Sequence, residues 1–195
     1  MFWLFAREDV MRFESALRFA CLGFLVLGLS GCVQSKATIT SNRANDYHAN
    51  IKRLLVITDL GQALKGKIDG DEEGIFESNV RDALAKCSIV VEFHRHDPLA
   101  LQNDAQEAIR ATSPDTVMTL AWKSAQSGGR APKSTVYIGS IVDLTTKRLV
   151  WKAEIDFQSA WSGGETLAAS LVDRLKADTI ISASCPTPIV PRRGI

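Results

Sequence analysis

Three sets of side chains in this sequence have the types and spacing to do chemistry. The first is the loop Gly61-Gln-Ala-Leu-Lys-Gly66-Lys67, lying between an apolar run and a helical pattern. The backbone amides of such a loop can cradle phosphates while the lysine reaches the outer oxygens. The full motif needs Ser or Thr after that lysine to hold magnesium, and Ile68 stands there. Asp69 and Gly70 also delay the helix, so its amino end would not face the phosphates. The loop therefore reads as solvent-exposed, and neither a nucleotide nor another cofactor is expected. The second set is Glu92, His94 and His96, which share a parity and on a continuing strand would point to one face. Two imidazoles and a carboxylate can ligate zinc, so His94 and His96 are candidate metal ligands. The competing reading is a polar strand end leading into a helix cap at Asp97. The third set is the cysteines, Cys21, Cys32, Cys87 and Cys185. A serine-nucleophile elbow, Gly-x-Ser-x-Gly, is absent from the sequence. No complete catalytic set emerges, and a non-catalytic protein is expected.

Two of the cysteines belong to the amino-terminal segment. Arg12 and Arg18 precede the apolar run Phe19-Ala-Cys-Leu-Gly-Phe-Leu-Val-Leu-Gly-Leu29, which is followed by Ser30-Gly31-Cys32. A basic segment, an apolar run of about 7–15 residues and small residues before a cut site make a secretory signal. The run is too short to span a bilayer, which takes about 20 residues. Leu29-Ser30-Gly31-Cys32 resembles the bacterial lipobox. That resemblance implies that the Cys32 thiol takes a diacylglycerol, that the chain is cut before Cys32, and that the new amino group is acylated. One acyl chain binds a membrane only marginally, whereas two or more anchor stably. Val33 follows the cysteine; in lipoproteins of this kind Asp there favours the inner membrane. The expected place is thus the periplasmic face of the outer membrane. Residues 1–31 read as the signal, with translation starting at Met11 because Phe2 to Asp9 fit the scheme poorly.

The balance of charge limits the partners. With 23 Lys and Arg against 22 Asp and Glu, the net charge is +1. Neutralising phosphates takes a surplus of cations, so a general nucleic-acid binder is not expected. At 46% hydrophobic and 23% charged residues, the chain has the apolar content to build a core. Residues 32–50 are mostly polar and read as the lipidated cysteine and a flexible tether. Residues 51–185 read as one periplasmic domain, and 186–195 as a disordered tail.

Within that domain Lys52 to Thr58 is almost continuously apolar and β-branched, like a strand covered on both faces. Phe76, Val80, Leu84 and Cys87 form a helical stripe, and Ser88 to His94 a second strand. Asp97-Pro98 signals a helix whose apolar face is Leu101, Ala105, Ala108 and Ile109. Thr116 to Trp122, Thr135 to Leu144 and Arg148 to Gln158 follow as strands. In the last, Leu149, Trp151, Ala153, Ile155 and Phe157 alternate with polar residues apart from Val150. Ser162-Gly-Gly-Glu165 is a capping box, opening a helix with Leu167, Leu171, Val172 and Leu175 inside and an end near Ile181. The fold class is α/β, a mixed sheet in the order β-α-β-α-β-β-β-α with five main strands and three helices. Strands linked through a helix are expected to pair in parallel.

That order, the lipobox and the hairpin Val142-Asp-Leu-Thr-Thr-Lys-Arg-Leu-Val-Trp151 resemble small envelope lipoproteins. Their domains are of the TolB amino-terminal, curli-secretion and penicillin-binding-protein-activator type. The resemblance spans about Lys52 to Ile181. It implies a protein that acts by binding other envelope proteins, and it supplies no catalytic residues. Trp122, Trp151 and Trp161 could contribute to such a surface, since Trp concentrates binding energy. Trp151 shares the parity of core residues, so Trp161 is the candidate partner-binding residue. A small-ligand or metal-binding lipoprotein, through His94 and His96, is the alternative. In an oxidising compartment Cys87 and Cys185, both at helix carboxyl ends, are expected to form a disulfide. The other possibility is that Cys87 is a small buried hydrophobe and Cys185 is free.

Overall fold

The computed structural model describes residues 35–60, 71–97, 99, 103–126, 134–158 and 163–191. The signal, the lipobox with Cys32, the Gly61 to Gly70 loop, Trp161 and Ser162 lie outside the described residues.

β-Branched and apolar runs supply the strands. The described elements are β1 (Lys36–Arg43), β2 (Arg53–Asp59), α1 (Glu72–Ala85), β3 (Val90–Arg95), α2 (Asp104–Thr112), β4 (Thr116–Gln126), β5 (Ser134–Asp143), β6 (Arg148–Gln158) and α3 (Gly163–Ala177). They form an α/β fold around one mixed sheet ordered β1-β6-β5-β4-β2-β3. β2 pairs in parallel with β3 and β4, while the β4–β5, β5–β6 and β6–β1 pairs are antiparallel. Of the pairs expected of strands linked through a helix, β2–β3 forms, whereas β4 lies on the other side of β2 and pairs with it instead of with β3.

The sixth strand, β1, corrects the reading of residues 32–50 as a tether. Lys36, Thr38, Thr40 and Asn42 face solvent, while Ala37, Ile39, Ser41 and Arg43 are half-buried against the core side. Tyr47, four residues beyond β1, is buried too. The alternation is faint because small and polar residues occupy the inner row. Its ladder partner β6 lies more than a hundred residues on, where Lys36 pairs with Gln158 and Arg43 with Trp151.

The main core lies between the sheet and α1 and α3. Leu54, Val56, Tyr137, Trp151, Ile155 and Phe157 meet Phe76, Val80 and Leu84 of α1 and Leu171, Val172 and Leu175 of α3 there. Leu55, Ile57 and Val117 point the other way, under Ala105, Ala108 and Ile109 of α2. β2 is thus covered on both faces, as its unbroken apolar run requires. The two helices of the main core touch closely at their amino ends. The Gly164 amide donates to the Glu72 carboxylate at 2.7 Å, and a Cβ on Gly164 would lie 2.3 Å from the Glu72 carbonyl oxygen. Only glycine permits that approach.

Local chemistry sets the helix ends. The Asp71 carboxylate accepts from the Gly74 amide at 3.0 Å, capping α1 behind Glu72 and Glu73. α2 starts later than the sequence signal suggests, with Asn103 as cap accepting from Gln106 N. Asp97 closes a turn instead, accepting from the Leu99 amide at 2.9 Å, a common use of a short carboxylate. α3 ends at Ala177, and Thr179, in the left-handed region at φ 55°, turns the chain. Past it, residues 186–191 have no regular secondary structure. Thr187 is nevertheless held by Asp173 and Lys176 of α3, so this stretch differs from the expected disordered tail.

Candidate binding face

The sheet's second face divides in two. Over β2 and its neighbours it is covered by α2; across β4, β5, β6 and β1 no described helix lies on it. Ladder register fixes which side chains stand there. Val142, Ser140, Ile138 and Val136 of β5 lie between Thr119 and Ala121 of β4 and Lys152, Glu154 and Asp156 of β6. Thr38, Thr40 and Asn42 of β1 complete the row. Polar contacts tie it together: Lys123 with Glu154 at 2.5 Å, the Thr119 and Ser140 hydroxyls at 2.5 Å, and Ser134 donating to Asp156 at 2.5 Å. A shallow groove of about 870 Å³ runs along it, lined among others by Thr40, Asn42, Ile138, Leu149 and Lys152.

Leu149 reaches this face through an irregularity that period-two reading cannot see. Ile141 pairs with Trp151 and Val142 with Leu149, leaving Val150 as an extra residue. A bulge shifts the parity of every residue beyond it. Val150 is therefore buried with Trp151, and Leu149, expected inside, is 54% exposed. Lys123, in step with Thr119 and Ala121, stands on the open face beside Glu154, and a second shift, between Trp122 and Ser124, then sets Ser124 opposite Val136. Trp122 stays on the row of Met118 and Leu120 but beyond their cover, at 49% exposure.

Opposite this face, polar groups anchor β1 to α3. The Trp151 indole donates to Asp178 at 2.7 Å, Ser41 donates to the same carboxylate, and Arg174 donates to both. Burial pushes the Asp178 carboxyl up, but the Ser41 hydroxyl, the indole and the guanidinium outweigh it and hold the group below the usual range. At the carboxyl ends of the parallel strands, Arg95 lies 2.7 Å from Glu77, 3.5 Å from Asp71 and 3.8 Å from the buried Glu73. Tyr137 donates to the Leu60 carbonyl, and burial followed by the charges of Glu73 and Asp59 pushes its hydroxyl pKa up. These groups lie at the end of the sheet where α/β proteins bind ligands, and each is engaged by the contacts just described.

The histidines arrive at an arrangement different from a metal centre. His94 Nε2 lies 3.2 Å from Asp104 and His96 Nδ1 lies 3.0 Å from it. Asp104 also accepts the Asp97 amide at 2.9 Å and the Ala105 amide at 2.8 Å. The Asp97 amide, with help from both imidazoles and the Ala105 amide, holds this carboxyl well below the usual range against its desolvation. The rings thus fasten the end of β3 to the first turn of α2. Among the described residues no group of three or more His, Cys, Asp or Glu side chains is arranged to hold a metal ion. Asp104, from the next helix, takes the place beside the imidazoles that spacing along β3 assigns to Glu92.

A disulfide joins Cys87, just after α1, to Cys185, with α-carbons 5.6 Å apart and a sequence separation of 98. The expected bridge is present, and it pins the chain after α3 to the end of α1. Among the described residues no helix is long and apolar enough to cross a membrane.

No protein-family model matches the sequence, and no curated protein matches it. Among solved structures the chain is similar to a PelC dodecamer from Paraburkholderia phytofirmans, at 16% identity over 74% of this chain and 98% of that one, with a TM-score of 0.43. A point variant of PelC from the same organism, also a dodecamer, gives 17% identity over 73% and 96%, with the same TM-score. A PDZ domain protein from Parabacteroides distasonis gives 10% identity and a TM-score of 0.35; this chain covers 81% of itself and 38% of that protein. Similarities this distant carry nothing about what the chain binds.

Proposed function

We propose that this protein is a lipid-anchored lipoprotein on the periplasmic face of the outer membrane, and that its domain binds another cell-envelope protein without catalysing a reaction. The observation that carries the reading is the half of the sheet that no described helix covers, where Leu149 and Ile138 sit among charged and hydroxyl side chains. Apolar residues ringed by polar ones are how binding surfaces are composed. The lipobox at Leu29 to Cys32, the hairpin's resemblance to domains of the TolB and curli-secretion type, and a disulfide suited to an oxidising compartment support the same reading. Photo-crosslinking in intact cells tests it. A crosslinker at Leu149 should give a discrete adduct with an envelope protein, absent when the crosslinker replaces Asp82 on α1. Intramolecular products alone at Leu149 would remove the proposal. Anchoring is tested separately: Cys32→Ala should abolish incorporation of a palmitate analogue.

The metal-binding alternative has less support, since both imidazoles engage a carboxylate already receiving two backbone amides. Zinc titrated into the protein should give no heat above dilution; saturable heat lost in His94→Ala would restore it.

A further inference from the structure

The two edges of the sheet are built differently. β3, at one end, is six residues long and carries Glu92, His94 and Arg95. Short strands with charged side chains are how folded proteins keep an edge from pairing with another chain. β1, at the other end, is eight residues long and pairs with β6 alone among the described residues. From Ala37 to Asn42 it reads Ala-Thr-Ile-Thr-Ser-Asn, without a charge, a proline or a break in register. A strand at the end of a sheet presents unpaired N–H and C=O groups, and an uncharged, regular one is a template for a further strand.

We propose that β1 is a strand-addition site for an extended segment of a partner protein, one with an acidic residue near each end. This rests on the reading of the domain as a binder of envelope proteins, and names how the partner would engage. The charges decide between occupants. Cations close both ends of β1, Lys36 and Arg43, and Lys152 stands beside Asn42 on β6. The carboxylates near the strand are already engaged, Glu154 with Lys123 and Asp156 with Ser134. A second copy of this chain added antiparallel must keep like faces together, which sets Lys36 opposite Asn42 and beside Lys152 at both ends and supplies no counter-charge. Glutamate or aspartate opposite Lys36 and Arg43 supplies it. The two rows of β1 set the rest of the pattern. Ala37 and Ile39 call for apolar neighbours on the core side; Thr38 and Thr40, beside the groove, call for small polar ones.

The test uses the full-length protein in detergent and a labelled octapeptide of alternating threonine and valine with glutamate at each end. Fluorescence polarisation should show saturable binding, weakened about tenfold or more when lysine replaces both glutamates. Thr40→Lys puts a charge in mid-edge at an exposed position and should weaken binding as strongly while leaving the circular dichroism unchanged. Val90→Lys, on β3, should leave binding as it is. The proposal is overturned if the glutamate peptide does not bind, if the lysine peptide binds equally well, or if Thr40→Lys has no effect. Concentration-dependent dimers dissolved by Thr40→Lys would assign the edge to a second copy instead. An envelope adduct from Leu149 that survives Thr40→Lys would overturn strand addition alone. Loss of any adduct from Leu149 in the unaltered protein removes the broader reading.

Discussion

The helix-covered face of the sheet and its opposite face use the same strands to different ends. On the covered face, Trp151, Tyr137, Phe157 and Ile155 are almost wholly buried under α1 and α3. Polar groups are drawn into that packing, as when Asp178 receives the Trp151 indole. On the other face, among the described residues, only the β2 region is roofed, by a nine-residue helix with no fully buried side chain. Beyond it the strands end in hydroxyls, paired charges and the exposed Leu149. Stability is concentrated on one face, so changes on the other should cost the fold little.

Substitutions that cross from one face to the other should expose that asymmetry. Trp151→Ala empties the centre of the covered face and removes one of the donors to Asp178, with an expected loss of about 3–5 kcal/mol in chemical denaturation. Trp122→Ala, half exposed, should cost under about 1 kcal/mol; equal costs would erase the distinction. Replacing Cys87 and Cys185 together by alanine should remove about 2–4 kcal/mol, because the bridge closes a long loop in the unfolded chain. Thiol labelling of the denatured, unreduced protein should accordingly find neither cysteine free. Gly164→Ala pushes α3 off the Glu72 carbonyl and should cost about 1–3 kcal/mol by the same assay.

Acid should act on the covered face through Asp178. The Asp178 carboxyl is held below its ordinary value, so its contribution to stability is full above about pH 4, where the unfolded group is ionised, and is lost as pH falls through the folded value. Denaturation midpoints measured from pH 6 down to pH 2 should fall, and Asp178→Asn should flatten part of that slope. An unchanged slope would mean the network around Ser41 and Arg174 is not sensed through this carboxyl. Least of all should Leu149→Ser matter to the fold, within about 0.5 kcal/mol of the unaltered protein. A larger loss would show that Leu149 is part of the packing and not of a free surface.

Much of this architecture was legible locally. The both-sided apolar run of β2, the stripe Phe76, Val80 and Leu84, and the alternation through Phe157 all depend on periodicities of a few residues. The Cys87–Cys185 pair was legible from compartment and position along the helices. Residues 36–43 were not, because Thr, Ser and Asn on both rows look like a solvated linker until β6 supplies the ladder. Asp104 escaped for a similar reason: its two imidazole partners lie across a turn whose path spacing alone does not give.

The sequence by itself determined the order of strands and helices after residue 51, which side chains form the main core, and the balance of charge that argues against nucleic acid. Those properties follow from patterns each segment carries within itself. Tertiary structure alone decided that a sixth strand closes the sheet, that a bulge at Val150 turns Leu149 outward, and that His94 and His96 face a carboxylate of the next helix. Each of these depends on register between segments far apart in the chain. A one-residue shift in such a register exchanges inside for outside without altering any local pattern.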